Sequence, residues 1–187
     1  MDIAEIHKNS KVLIDGVPYN ADDVDFVKPG KGRAIYRVRL RNLATGEGID
    51  RTYHSGDKLD EAHISTQEMQ YLYKEGAHYV FMNTETFEQY LLTEEGVGDK
   101  KNFLKDGTVV QGLMMGDKPI DITLPTFVEL KVTEGEVSTR KETFSAQSKQ
   151  VLLETGYAID APTFVKPGDI IKVDTRTGAY LERVSKK

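Results

Sequence analysis

The stretch FVKPGKGRAIYRVRLR, residues 26–41, decides how the rest of the chain is read. It reads as the end of one strand, a tight turn and a second strand. Pro29-Gly30 fits the centre of a type II turn, because proline presets φ at the first central position and glycine supplies φ > 0 at the second. That assignment makes Lys28 and Lys31 the flanking residues, with Gly32 as one more permissive step. From Arg33 onward the pattern has period two: Arg33, Ile35, Arg37, Arg39 and Arg41 share one face, and Ala34, Tyr36, Val38 and Leu40 the other. The stretch holds six cations and no carboxylate. An arginine-faced strand fed by a lysine-tipped hairpin suits a phosphate backbone. Outward arginines are also the mark of an ordinary solvated face, and the strand alone does not separate the two readings.

The totals narrow the field. At 187 residues the chain has room for two or three small domains, and 39% apolar with 29% charged residues is a globular composition. No apolar run approaches a membrane helix; the richest lies at 79–82. The opening MDIAEIHKNSKVLIDG is acidic and lacks the apolar core of a secretory signal. There are no cysteines, which excludes disulfides and thiolate metal sites and fits a reducing cytoplasm. Net charge is −5, which by itself disfavours RNA. Its distribution points the other way: residues 1–64 carry 10 cations and 11 carboxylates, 65–128 carry 5 and 10, and 129–187 carry 10 and 9. The deficit lies in the middle third, so a polyanion would be met by the outer thirds.

Most segments read as short strands separated by turn signals, the signature of small barrels. Residues 11–14 and 17–20 flank an Asp15-Gly16 hairpin loop. After the basic hairpin, NLATGEG (42–48) is turn-rich, 49–54 resumes a strand, and SGDKLDEA (55–62) breaks the pattern. The second third alternates at Met69, Tyr71 and Tyr73, then Tyr79 and Phe81, with a further strand over 87–92, one short helical turn within 94–104, and a hairpin about Gly116-Asp117. Core packing is the favoured role of the aromatic stripe from Tyr71 to Tyr90 over base stacking. The last third carries strands at 129–132, 150–153, 157–160, 169–174 and 179–184, with a long polar loop over 133–149. The boundaries fall at 1–64, 65–128 and 129–187. With no flexible linker at 125–128, the second joint is expected to be stiff. FVKPG recurs at 164–168 without a basic continuation, and is taken as a shared turn solution.

These pieces together carry a resemblance. FVKPGKG (26–32), RVRLRNLATG (37–46), FMNTETFEQ (81–89), PTFVEL (125–130) and GDIIKVDTRTGAY (168–180) stand in the order and spacing of bacterial elongation factor P. That family is related to the hypusine-bearing initiation factor of eukaryotes and archaea, and the resemblance runs over 10–184. It implies an all-β protein of three small β-barrels, an SH3-like barrel followed by two OB-folds, in an L-shaped, tRNA-like arrangement. It further implies a cytoplasmic monomer, not bound to membranes, that binds the ribosome beside the peptidyl-tRNA and rescues ribosomes stalled on consecutive prolines. The family's modified loop-tip residue falls on Lys31, implying a lysine-modifying enzyme as a partner; because the residue is lysine, the arginine-with-sugar route is out. Lys28, Pro29, Gly30 and Gly32 support the tip. Lys28, Lys31, Arg33, Arg37 and Arg39 are the expected RNA contacts, with Tyr180 and Arg183 as further candidates that stand equally as an edge aromatic and a surface cation.

Two departures from the family pattern concern the last third. Lys149 is followed by Gln150, and Pro162 is preceded by Ala161, where members usually have alanine or valine and then valine. The glycine-rich loop linked to mRNA contact is replaced by VSTRKETFSAQS (137–148), so that contact is not carried over. No cofactor, metal or catalytic residue is implied. His7, His54, His63 and His78 lack metal-ligand spacing, no phosphate loop or GxSxG elbow appears, and Asp22-Asp23 and Glu94-Glu95 read as solvated charge. The rival class is an OB/SH3-like RNA-binding module without ribosome-rescue activity, which predicts an unmodified Lys31.

Overall fold

The computed structural model describes residues 1–135 and 148–184. Strands dominate, with 3₁₀ turns at Ile3–Glu5 and Gly98–Phe103 and a single-turn helix α1 (Glu94–Val97). The chain divides into two compact units, 1–66 with 113–121 and 67–112 with 122–187.

The first sheet contains β1 (Lys11–Ile14), β2 (Val17–Val27), β3 (Ile35–Asn42), β4 (Gly48–His54) and β5 (Asp60–Glu61), in the order β4-β3-β2-β1-β5. Asp15 and Gly16 both take positive φ (53° and 78°), as a two-residue type I′ loop requires. β2 does not stop at Asn20; it runs on to Val27, with a register shift between Ala21 and Asp23 that leaves Asp22 as the extra residue. β3 alternates as expected within its length. Val38 and Leu40 are fully buried while Arg37, Arg39 and Arg41 are exposed. Each buried aliphatic contributes about 1.5–3 kcal/mol, which fixes the face the arginines must take. The strand begins at Ile35 and not at Arg33, because pairing with β2 starts at Val27–Ile35.

The second sheet contains β6 (Ile64–Glu75), β7 (His78–Asn83), β8 (Gln89–Thr93), β9 (Val109–Met115) and β10 (Lys118–Thr123), in the order β10-β9-β6-β7-β8. Met69, Tyr71, Tyr79 and Phe81 are buried, and the Tyr71 ring lies 5.8 Å from Tyr79 and 5.4 Å from Phe81, so three of the six rings of the aromatic stripe are core. Tyr73 departs from the expected face. A register shift between Tyr71 and Tyr73 inserts Leu72 as a bulge, and Tyr73 turns outward at 48% exposure. Phe87 is likewise not in a strand. It sits in the turn before β8 with φ of 61°, where its amide and those of Glu85 and Thr86 all bond to Asn83.

The third sheet contains β11 (Phe127–Glu134), β12 (Ser148–Leu153), β13 (Ala158–Pro162), β14 (Ile170–Asp174) and β15 (Tyr180–Val184), in the order β13-β12-β11-β14-β15. Its core is Val128, Leu130, Val132, Val151, Leu153, Ile159, Val165, Ile171 and Val173, joined by Phe103 from the second 3₁₀ turn. Phe103 meets Tyr157 edge to face at 5.5 Å, and the Thr155 hydroxyl donates to the Asn102 carbonyl (2.6 Å). The expected polar loop over 133–149 is replaced at both ends by strand, and 136–147, which holds the divergent 137–148 stretch apart from Ser148, lies outside the described residues.

Candidate nucleic-acid interface

β2 and β3 end in the loop 28–34, whose central residue is Lys31. The expected type II turn at Pro29-Gly30 is not formed. Gly30 has no positive φ, and the left-handed residue is Gly32, at 114°. The reason is length. With the strands parting at Val27 and Ile35, the reversal is spread over a bend from Gly30 to Gly32 and needs no i→i+3 closure. Lys31 is therefore the apex of the loop and not its flank. Lys28, Gly30, Lys31, Gly32 and Arg33 are exposed, with Pro29 and Ala34 half-buried. A Cβ at Gly30 would meet nothing within 4 Å, so the backbone on that side of Lys31 is open to close approach. At the loop's base, Phe26 and Tyr36 pair at 5.0 Å between ring centroids, and the Ser55 amide donates to the Ala34 carbonyl (2.9 Å).

Among the described residues, Lys28, Lys31, Arg33 and Arg37 form no ion pair, whereas the arginines farther down β3 do. Arg39 Nε lies 3.3 Å from Asp50 Oδ1 on β4. Arg41 donates from Nε (2.9 Å) and Nη2 (3.2 Å) to the two oxygens of Asp22. That guanidinium, together with the Asn20 amide, holds the Asp22 carboxyl below the usual carboxylate range. The register also sets Asp25 opposite Arg37 and Asp23 opposite Arg39. A groove of about 270 Å³ on this face is lined by Asp23, Asp25, Arg37, Arg39, Asp50 and Arg51. The expected basic stripe is thus a mixed-charge face that becomes purely basic only at the loop. Asp25 and Asp50 are missed from the sequence, and Asp22-Asp23 reads there only as solvated charge. The DDVD run at 22–25, folded back about Lys31, was the signal that would have found Asp25.

The remaining candidates belong to the other compact unit. Tyr180 is half-buried against the core of the third sheet. Arg183 lies with its guanidinium 5.3 Å from the Phe164 ring centre and 3.5 Å from Asp169 Oδ2. The two contacts tie Arg183 to the second FVKPG copy and to the residue that follows it. Among the described residues there is no group of three or more His, Cys, Asp or Glu placed to hold a metal ion, and no helix is long and apolar enough to cross a membrane.

Comparison with known proteins covers the whole chain. Residues 2–59 match the elongation factor P (EF-P) KOW-like domain, 64–122 the elongation factor P (EF-P) OB domain, and 128–183 the elongation factor P, C-terminal domain. The chain is 47% identical to elongation factor P of Desulfatibacillum aliphaticivorans, over 100% of both chains. It is 44% identical to elongation factor P 2 of Geobacter sulfurreducens, over 97% of each. Among solved structures, a eukaryotic translation initiation factor 5A from Methanococcus jannaschii is similar in fold, with a TM-score of 0.50 at 21% identity, over 67% of this chain and 90% of that one. By its sequence, its three matched domains and its all-β fold, the chain belongs to the elongation factor P family.

Proposed function

We propose that this protein binds the ribosome beside the peptidyl-tRNA and promotes peptide-bond formation at proline runs by holding the tRNA acceptor end with Lys31. In this reading the chain works as three modules, 1–64, 65–128 and 129–187, as a monomer in the cytoplasm, and Lys31 is the substrate of a lysine-modifying enzyme. The observation that carries it is the loop 28–34. Its apex lysine is exposed, lies between an open Gly30 and a left-handed Gly32, and has no ion-pair partner among the described residues.

Proline is a poor nucleophile of restricted geometry, so its reaction is slowed when the peptidyl-tRNA end wanders. A factor that restricts that end need supply no chemistry. Alignment alone contributes up to about 7–11 kcal/mol in ideal intramolecular systems, and a fraction of that suffices here. Lys28, Arg33, Arg37 and Arg39 take phosphates and set orientation, while the Lys31 side chain, lengthened by modification, reaches the acceptor end. Tyr180 and Arg183 serve as secondary RNA contacts.

The test is a reporter whose synthesis passes through a proline run, in cells carrying Lys31→Ala. The expected outcome is loss of most rescue with folding intact; normal synthesis counts against the reading. Mass spectrometry of the Lys31 peptide from the native organism separates it from an RNA-binding module without rescue activity. A mass increment confined to Lys31 is expected, and an unmodified residue favours the module.

A further inference from the structure

The aspartates that flank the arginine strand have no role in the reading above, and their placement is specific. Asp22 occupies the Nε–Nη2 edge of Arg41, one of the guanidinium edges suited to bidentate phosphate binding. Asp50 takes Nε of Arg39 from the opposite strand. Asp23 stands across from Arg39 and Asp25 across from Arg37. Beyond Asp25 the chain carries no carboxylate until Glu47. Among the described residues, positive charge is thus faced by carboxylates along the strand and left without them at Lys28, Lys31 and Arg33.

We infer that Asp22 and Asp50 are internal competitors of RNA phosphate, which hold the strand arginines in reserve and leave the loop to make the first contact. The inference rests on the RNA-binding reading of the hairpin and deepens it. Exposed ion pairs of this kind are weak, because both partners are well solvated when apart. The Arg39 and Asp50 side chains are 67% and 77% exposed, so their pair belongs to this class. A phosphate that displaces such a carboxylate gives up the pair's small contribution, so its net gain is reduced by that amount. The arginines then orient a seated RNA without holding it fast. Weak retention suits a factor that has to leave after each reaction. It also means that fewer phosphates are neutralised than the number of cations on the hairpin implies, and that number sets the salt dependence of binding.

The test uses the full chain and, as probe, a short RNA hairpin with a single-stranded 3′ end, titrated between 50 and 250 mM salt, roughly the range over which such slopes are read. Asp50→Asn removes the carboxylate paired to Arg39, with Asp23 still across from it, and Asp22→Asn removes the partner of Arg41. Each is expected to tighten binding about two- to five-fold at the low-salt end. Each should also steepen the slope of log affinity against log salt by about 0.7–0.9. Glu95→Gln, on the second sheet's helix α1, makes the same change in net charge without touching the hairpin and is expected to leave the slope unaltered. Because Asp22 also bonds to Asn20 at the β2 bulge, Asp50→Asn is the deciding variant if Asp22→Asn disturbs folding. Wild-type binding that depends on salt and on Lys31, with Asp50→Asn indistinguishable from Glu95→Gln, overturns this inference and leaves the hairpin reading standing. Wild-type binding that ignores both salt and Lys31→Ala removes the reading and the inference together.

Discussion

The same five residues, FVKPG, occur at 26–30 and at 164–168, and the two copies fold differently. In the first, Phe26 and Val27 end a strand and are exposed, at 55% and 43%, and Gly30 is not left-handed. In the second, Val165 is completely buried, and Gly168 takes φ of 91°. The second copy is also fastened at each step. The Lys166 amide donates to the Asp169 carboxylate (2.9 Å), the Asp169 amide to the Lys166 carbonyl (3.0 Å), and the Gly168 amide to the Val132 carbonyl on β11 (2.8 Å). Pro167 packs against Gly135, where a Cβ would come within 3.0 Å of its ring. The expectation that both copies share one turn is therefore corrected. The residue after the motif decides: Asp169 reaches back to cap its own turn, whereas Lys31 meets no acceptor among the described residues and is exposed. One motif acts as a staple, and the other leaves its lysine exposed to solvent.

The contrast predicts unequal costs for equal substitutions. Val165→Ala is expected to lower unfolding free energy by about 2 kcal/mol, and Val27→Ala by less than about 1, because only the first removes a fully buried side chain. Urea denaturation of both variants checks this, and equal losses would break the comparison. Gly168→Ala should cost about 1–2 kcal/mol for the left-handed backbone, against near neutrality for Gly30→Ala, whose Cβ enters open space. Thermal melts rank the pair.

The smallest effect concerns acid. The Lys166 amide bond and the nearby Arg183 guanidinium hold the Asp169 carboxyl below its ordinary value of 3.8. A depressed folded-state value means that the stabilisation is complete above the unfolded pKa and is lost as pH falls through the lower, folded one. Below about pH 4 the staple should therefore loosen, and Asp169→Asn should flatten that acid limb of the stability curve. An unchanged acid limb in the variant would show that the second copy is held by packing alone.

Much of the fold was legible because its signals are local. Asp15-Gly16 needs no tertiary partner to form its loop, and Val38 and Leu40 declare a buried face by period alone. The bulges at Asp22 and Leu72 were not legible, since one inserted residue depends on what the neighbouring strand can accommodate. The hairpin was misread for a related reason. A turn centred on Pro29-Gly30 would have set Asp25 against Ala34 and concealed its relation to Arg37. Folding about Lys31 sets Asp25 against Arg37 and Asp23 against Arg39, so an error of position in the loop hid the compensating charge of the site. Phe87 escaped because a left-handed aromatic is disfavoured intrinsically and is held here by the bonds that Asn83 gathers. The two altered dipeptides of the first departure lie side by side in the fold, with Lys149 paired to Ala161 and Gln150 to Asp160 across β12 and β13.

The most direct test compares the two lysines that the motif places differently. The rate of peptide-bond formation within a proline run, measured on purified ribosomes, should lose most of its stimulation with Lys31→Ala and keep it with Lys166→Ala. Full stimulation by the Lys31 variant, or equal loss from both, would contradict the account.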